Sequence, residues 1–522
     1  MASSEVLEAA IVGAGVSGVY CGWRLLDKGV KKNVVVFEGD DHVGGRLLSV
    51  APPELPGMRA ELGGMRILKN EQVRITTLIS KLGIETYPFP VGEPSNIAYL
   101  RGVHLRDSDF AEDYDKVPYS LGFQEDGKTP GEIVIDAVEQ VVPGITRMSE
   151  PRRREVVKTA EFAGTPLHQQ GFWQVLSRVL SHEAYSLAVA AGGYQTTLTS
   201  WNAADAIPWF LSDFGVNAKY FGFVKGFQEV PLELAKRFES LGGHIELKTK
   251  LRSLDVVEDG LIELRFEDRE PVRAQSVILA MPRRSLDLLE PSGAVLSNDH
   301  ARTLISSVTP RPLFKLFTTY DDPWWLAAGV QKGRSVTDLP VRQTYYWPKG
   351  DGSAVTQGRA MLMASYDDGV NIGYWDSFRP KRNISWTKRP AAEAIRQPEP
   401  YLGSPEAEGL AEPKWKHYRA PKPMVEEVQR QLLRMHGLRY SPPARAASFR
   451  DWGDDPFGGG WNAWNIGVRS WDVEKEILQP VPGVPVHICG EAYSREQGWV
   501  EGALDTADQV LARYFGIAAL SS

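Results

Sequence analysis

The sequence predicts an α/β fold: a parallel, doubly wound sheet whose strands come from separated parts of the chain. Three observations carry this. Residues 6–46 read as strand, glycine-rich turn, helix and strand, with Gly13, Gly15 and Gly18 in the turn and Glu38 ending the second strand. Residues 485–514 read as a second strand–helix pair with Gly490 and Glu491 at the junction. Between these ends, residues 244–281 hold short apolar strands. The expected architecture is a discontinuous Rossmann-like domain (residues 1–66, 226–306 and 470–522), an α+β substrate-binding domain (67–108 and 307–469) and an inserted helical domain (109–225).

In the first unit, an apolar strand over residues 6–12 runs into Gly13-Ala14-Gly15-Val16-Ser17-Gly18. A helix continues from Val16 to about Lys28, and Gly29 stops it. Gly13 makes the tight turn, Gly15 admits a pyrophosphate to the backbone, and Gly18 lets helix and strand pack closely. The helix start, with Val16 and Ser17, offers unpaired N–H groups and a positive dipole end to phosphate. Glu38, 20 positions after Gly18, suits a ribose 2′-hydroxyl and would repel a 2′-phosphate. Gly44-Gly45-Arg46 follows: the glycines permit close backbone approach and Arg46 supplies a cation for the second phosphate. A glycine pattern alone also occurs in turns that bind nothing; the flanking strands and the acidic residue set this one apart.

The 522 residues suffice for two or three domains and a large core. With 43% hydrophobic and 24% charged residues and a net charge of −7, nothing points to nucleic acid or an anionic membrane as partner. The first ten residues lack a basic region followed by an apolar one, so no signal peptide is expected. No apolar run of about 18 residues appears that could span a bilayer. Cys21 and Cys489 both sit in apolar surroundings and read as small buried hydrophobes, not a disulfide. A cytoplasmic location is the expectation.

Further on, helical periodicity marks residues 72–82. It also dominates 132–142, 150–163 and 173–191, the basis of the helical domain. An amphipathic helix over 232–241 stops at Gly242-Gly243. Strands follow at 244–248, 252–257 and 261–266, the last two joined by the hairpin signal Asp259-Gly260. Residues 276–281 read as a buried strand ended by Pro282, and about 313–363 as a β-rich block. The stretch 376–422, rich in Pro, Arg, Lys and Glu, reads as an exposed insertion, and a short helix is expected over 424–435.

The C-terminal strand ends in Gly490-Glu491, and Gly498-Trp499-Val500-Glu501-Gly502-Ala503 opens the last helix. Together with the glycine-rich turn, Glu38 and Gly44-Gly45-Arg46, this element resembles the flavin-containing amine oxidase family. The resemblance implies FAD rather than NAD. It implies that Glu491 meets the ribityl–pyrophosphate region, and that Trp499, Val500 and Ala503 face the flavin. It also brings Gly64, Met65, Arg66 and Leu251 to the cofactor. Amides at this helix start would stabilise negative charge on the reduced ring.

Glu61-Leu62-Gly63-Gly64-Met65-Arg66 narrows the resemblance to the L-amino-acid oxidase branch and the related flavin amino-acid 2-monooxygenases. There the Arg holds the substrate α-carboxylate, a task suited to a permanently charged, two-pronged donor. By the same resemblance Tyr366 is the second carboxylate contact, with Ser365 the alternative if the register slips by one. Lys315, set in a strand of apolar residues, matches a Lys that reaches flavin N5 through water; an outward-facing lysine fits the pattern too. Trp461, Gly498 and Trp499 line the substrate pocket in the family. A His carried by some L-amino-acid oxidases on the helical lobe has no counterpart in residues 199–204. No His, Cys or Asp spacing suggests a metal.

The expected reaction is oxidative deamination of an L-amino acid by hydride transfer from Cα to FAD, giving a 2-oxo acid, ammonia and hydrogen peroxide from O₂. Rivals are an amino-acid 2-monooxygenase, a polyamine or monoamine oxidase, and a non-catalytic flavoprotein. The family suggests a homodimer.

Overall fold

A computed structural model of the chain describes residues 6–213, 219–379 and 414–520. At its centre is a five-stranded sheet in the order His244–Glu246, Val34–Phe37, Ala9–Val12, Val277–Leu279, Val486–Ile488. All neighbours are parallel. The order reverses between Ala9–Val12 and Val277–Leu279, and a crevice opens at the carboxyl ends of strands flanking such a switch. Chain segments from both ends and the middle therefore meet in one sheet, as a discontinuous Rossmann-like domain requires. Helices Val16–Asp27 and Val500–Phe515 pack against each other on the same side of it. Leu251–Val256, Ile262–Phe266 and Val272–Ala274 form a separate antiparallel sheet, with Asp259 and Gly260 at positive φ in the connection.

The second large sheet has seven strands: Ala446–Asp451, Phe314–Tyr320, Ala360–Asp367, Gln343–Tyr346, Gly333–Thr337, Ile97–Leu100 and Val103–Arg106. Two of its inner strands, Phe314–Tyr320 and Ala360–Asp367, are buried along their whole length. Such strands read as continuous apolar runs, and a lysine at position 315 stands out against that pattern.

The helical region differs from the periodicity in two places. Residues 150–163 are helical only over Glu150–Val157; Glu161–Phe162 and Thr165–Pro166 then form a small hairpin turned by Ala163 and Gly164 at positive φ. Residues 173–191 divide into Phe172–Leu176 and His182–Gly192, because the Ser181 hydroxyl accepts from the Ala184 amide and starts a new helix. Within the expected helical stretch 109–225, Tyr220–Phe223 is a strand between Ile67–Leu68 and Thr86–Pro88.

Residues 380–413, most of the expected insertion, lie outside the described residues. Its two flanks are folded rather than loose, which corrects its bounds. Arg379 pairs with Asp451 and Asp454, and Trp415 is buried just before the helix Lys422–His436. No helix among the described residues is long and apolar enough to cross a membrane.

Candidate active site

One cavity of about 1180 Å³ runs from the carboxyl edge of the parallel sheet to the face of the seven-stranded sheet. That exceeds the usual size of a single drug-sized site and leaves room for a dinucleotide and a small substrate. Of the residues singled out in the sequence, Gly13, Gly15, Val16, Ser17, Glu38, Gly45, Arg46, Gly64, Met65, Arg66 and Leu251 line it. So do Lys315, Tyr366, Trp461, Glu491, Gly498, Trp499, Val500 and Ala503. Gly18 does not border it. A Cβ there would lie 1.9 Å from the Gly13 carbonyl and 3.1 Å from Ala280 Cβ, so its task is helix–strand packing.

The cofactor half fits a dinucleotide. A Cβ on Gly15 would meet no protein atom within 4 Å, so this stretch of backbone faces open space. Helices Val16–Asp27 and Val500–Phe515 both start at the cavity, and neither has a side chain capping its first turn. Uncapped amides at two helix starts suit an anionic ligand. Glu38 is held by the amides of Ala14 (2.6 Å) and Asp40 (2.9 Å). Burial nevertheless raises its pKa, against the pull of those amides. Arg46 donates to Glu491 (2.7 Å), joining the two ends of the chain across the cavity. Glu491 also accepts from the Asn462 amide, the Asn462 side chain and the Gly498 amide. In the protein alone, these two residues thus organise one another.

The other half is built around Arg66, which is 6% exposed. Its terminal nitrogens donate to the hydroxyls of Tyr345 (3.1 Å) and Tyr194 (3.2 Å), and its guanidinium lies 4.0 Å from the centre of the Tyr220 ring. Among the described residues no carboxylate comes within 4 Å of it, so it is not the internal ion pair that a buried arginine usually makes. Asp213 stands behind Tyr220 and bonds its hydroxyl (3.2 Å); burial pushes the Asp213 pKa up to about 6, with Arg66 opposing.

Tyr366 faces the cavity and Ser365 does not: the Ser365 hydroxyl donates to the Val341 carbonyl on the other side of the strand. Lys315 pairs in register with Tyr366, and its amine sits 4.9 Å from the centre of that ring. The amine donates to the carbonyls of Glu61 (3.2 Å) and Gly63, which fixes the turn leading to Arg66. Burial pulls the Lys315 pKa down to about 7; Glu61 opposes this and Arg66 adds to it. Trp461 stacks parallel to Trp209 at 6.3 Å, and the Trp209 indole donates to the Gln497 carbonyl. Tyr194, Thr197, Trp209 and Asp213 bring the helical region into the cavity wall. None was singled out in the sequence. Helical periodicity reports which residues are buried, not which of them border a cavity.

A family model described as flavin containing amine oxidoreductase matches residues 16–384. The chain belongs to this family. As a member it is an FAD-dependent oxidoreductase that deaminates oxidatively. Aplysianin-A of Aplysia kurodai is 29% identical, with 98% of this chain and 90% of that protein covered. Achacin of Lissachatina fulica is 24% identical, covering 98% and 94%. A putative L-amino-acid oxidase of Bacillus subtilis, YobN, is 22% identical, covering 98% and 95%. Among solved structures, wild-type putrescine oxidase bound to putrescine superposes with a TM-score of 0.65 at 17% identity, covering 98% of this chain and 100% of that one. At that identity the likeness is one of fold.

Proposed function

We propose that this amine oxidoreductase oxidises free L-amino acids to 2-oxo acids and ammonia, with O₂ reduced to hydrogen peroxide. The observation that carries the reading is Arg66: a buried guanidinium at the cavity wall, held by phenols rather than by a carboxylate. An α-carboxylate would complete it, through charge-assisted hydrogen bonds in a place with little competing water. Tyr366 borders the same space and is the second contact in this reading.

Bound FAD supplies the two-electron acceptor and hands those electrons to O₂. The protein's part is placement. Arg66 fixes the acid end, Trp461 and Trp499 enclose the remainder, and Lys315 holds an amine at the wall where the flavin fits. The amino acid loses two electrons and two protons, O₂ gains both, and water hydrolyses the resulting imine. Cys21 and Cys489 are both free and buried, in keeping with a reducing, cytoplasmic setting in this reading.

A panel of the twenty L-amino acids, with peroxide and ammonia measured together, tests this. Equal amounts of both, with no CO₂, are expected. Release of CO₂ with an amide product would instead make the chain a 2-monooxygenase.

A further inference from the structure

Glu61 is a buried acid that the mechanism above does not use. Glu61 is 3% exposed and ends the short strand Ala60–Glu61. Its carboxylate accepts from the Ser49 hydroxyl (2.6 Å) and from the Phe227 amide (2.8 Å), just ahead of the helix Glu229–Ser240. Its backbone carbonyl is one of the two that hold the Lys315 amine. We propose that Glu61 is a positioning residue whose carboxylate is the counter-charge keeping Lys315 protonated beside the bound flavin. The inference rests on the reading of Lys315 as a flavin neighbour and goes beyond it by naming the group that sets its charge.

The surroundings of the pair support this. Lys315 faces Glu61 and Arg66, and the Tyr366 ring from the adjacent strand. Arg450, its partner in register on the other adjacent strand, lies over the Trp452 ring at 4.9 Å. The single anion in this set is Glu61. On the acid's side stand Ser49, Phe227, Lys315 and Arg59, while Tyr87 is an uncharged phenol. Burial raises the Glu61 pKa to about 7 against its hydrogen bonds and Lys315, and lowers the Lys315 pKa to about 7 against Glu61, so each charge leans on the other. An ammonium at this wall favours electrons on the flavin and the passage of two electrons to O₂. In that step reduced FAD gives up two electrons and its N5 proton, and one further proton from solvent completes hydrogen peroxide.

The test is the reduction potential of FAD bound to the holoenzyme, measured against pH, with the rate of oxidation by O₂ followed in parallel. In Glu61→Gln the ammonium loses its counter-charge. The break in both profiles that belongs to Lys315 moves to lower pH by about one unit. Lys315→Met abolishes that break. Unchanged profiles in Glu61→Gln, with the break abolished in Lys315→Met, overturn the proposal for Glu61. Unchanged profiles in Lys315→Met overturn the reading of the lysine beneath it. Should Glu61→Gln fail to hold FAD, Ser49→Ala removes one donor to the carboxylate and is expected to shift the break in the same direction by less; an unshifted break there overturns the proposal too.

Discussion

A guanidinium buried between three tyrosines is costly unless something anionic meets it. Phenol hydroxyls and the Tyr220 ring hold Arg66 in one orientation, with no carboxylate among these contacts. Replacing Arg66 by Ala removes a charge-assisted contact of about 3 kcal/mol, so kcat/KM for the best amino acid is expected to fall by about 100-fold. Arg66→Lys keeps the charge but not the fork, and is expected to recover only part of the loss. Steady-state peroxide assays check both. A second residue bears on stability. Asp205 is half-buried, one of its carboxylate oxygens is buried without a partner, and burial pushes its pKa up to about 7, against the Ser470 hydroxyl bonded to it. The folded protein therefore favours the protonated acid, and stability is lost as pH rises from the ordinary carboxylate range towards 7. Asp205→Asn is expected to raise Tm at pH 8, with the gain shrinking towards pH 4. Melting curves across that range show whether it does.

Among the elements, the glycine-rich turn divides labour in a way a sequence motif does not reveal. Gly18 serves packing, because any side chain there meets the Gly13 carbonyl; Gly15 leaves backbone open to the cavity. Gly18→Ala is expected to cost about 1–3 kcal/mol of stability through overpacking. Gly15→Ala is expected to keep its Tm as apoprotein while losing affinity for FAD. Thermal melts without FAD, set beside FAD titrations, separate the two outcomes. The cofactor elements were legible in the sequence because close backbone approach demands glycine and because strand–helix junctions leave a residue signature. The substrate elements were less so. Tyr345 and Tyr220 reach Arg66 through strand register, and Tyr194 and Trp209 through the packing of the helical region. Neither kind of placement leaves a local pattern. The break at Ser177–Ser181 was missed for a related reason: apolar periodicity runs on through a turn when the helices on both sides bury one face.

Taken as a whole, the molecule closes a cavity between two sheets. Arg46 and Glu491, far apart in sequence, meet over it, and both uncapped helix starts open into it. The wide separation of the parallel strands in sequence was readable from three short apolar segments; the reach of the helical region into the site was not. One end of this cavity is suited to FAD and the other to an acid. The most direct measurement compares an L-amino acid with the amine formed by removing its carboxylate, each added anaerobically to the FAD-loaded protein. The account predicts that the amino acid bleaches the visible flavin band and the amine leaves it intact. Bleaching by the amine at an equal rate would contradict the assignment of Arg66 as the carboxylate site.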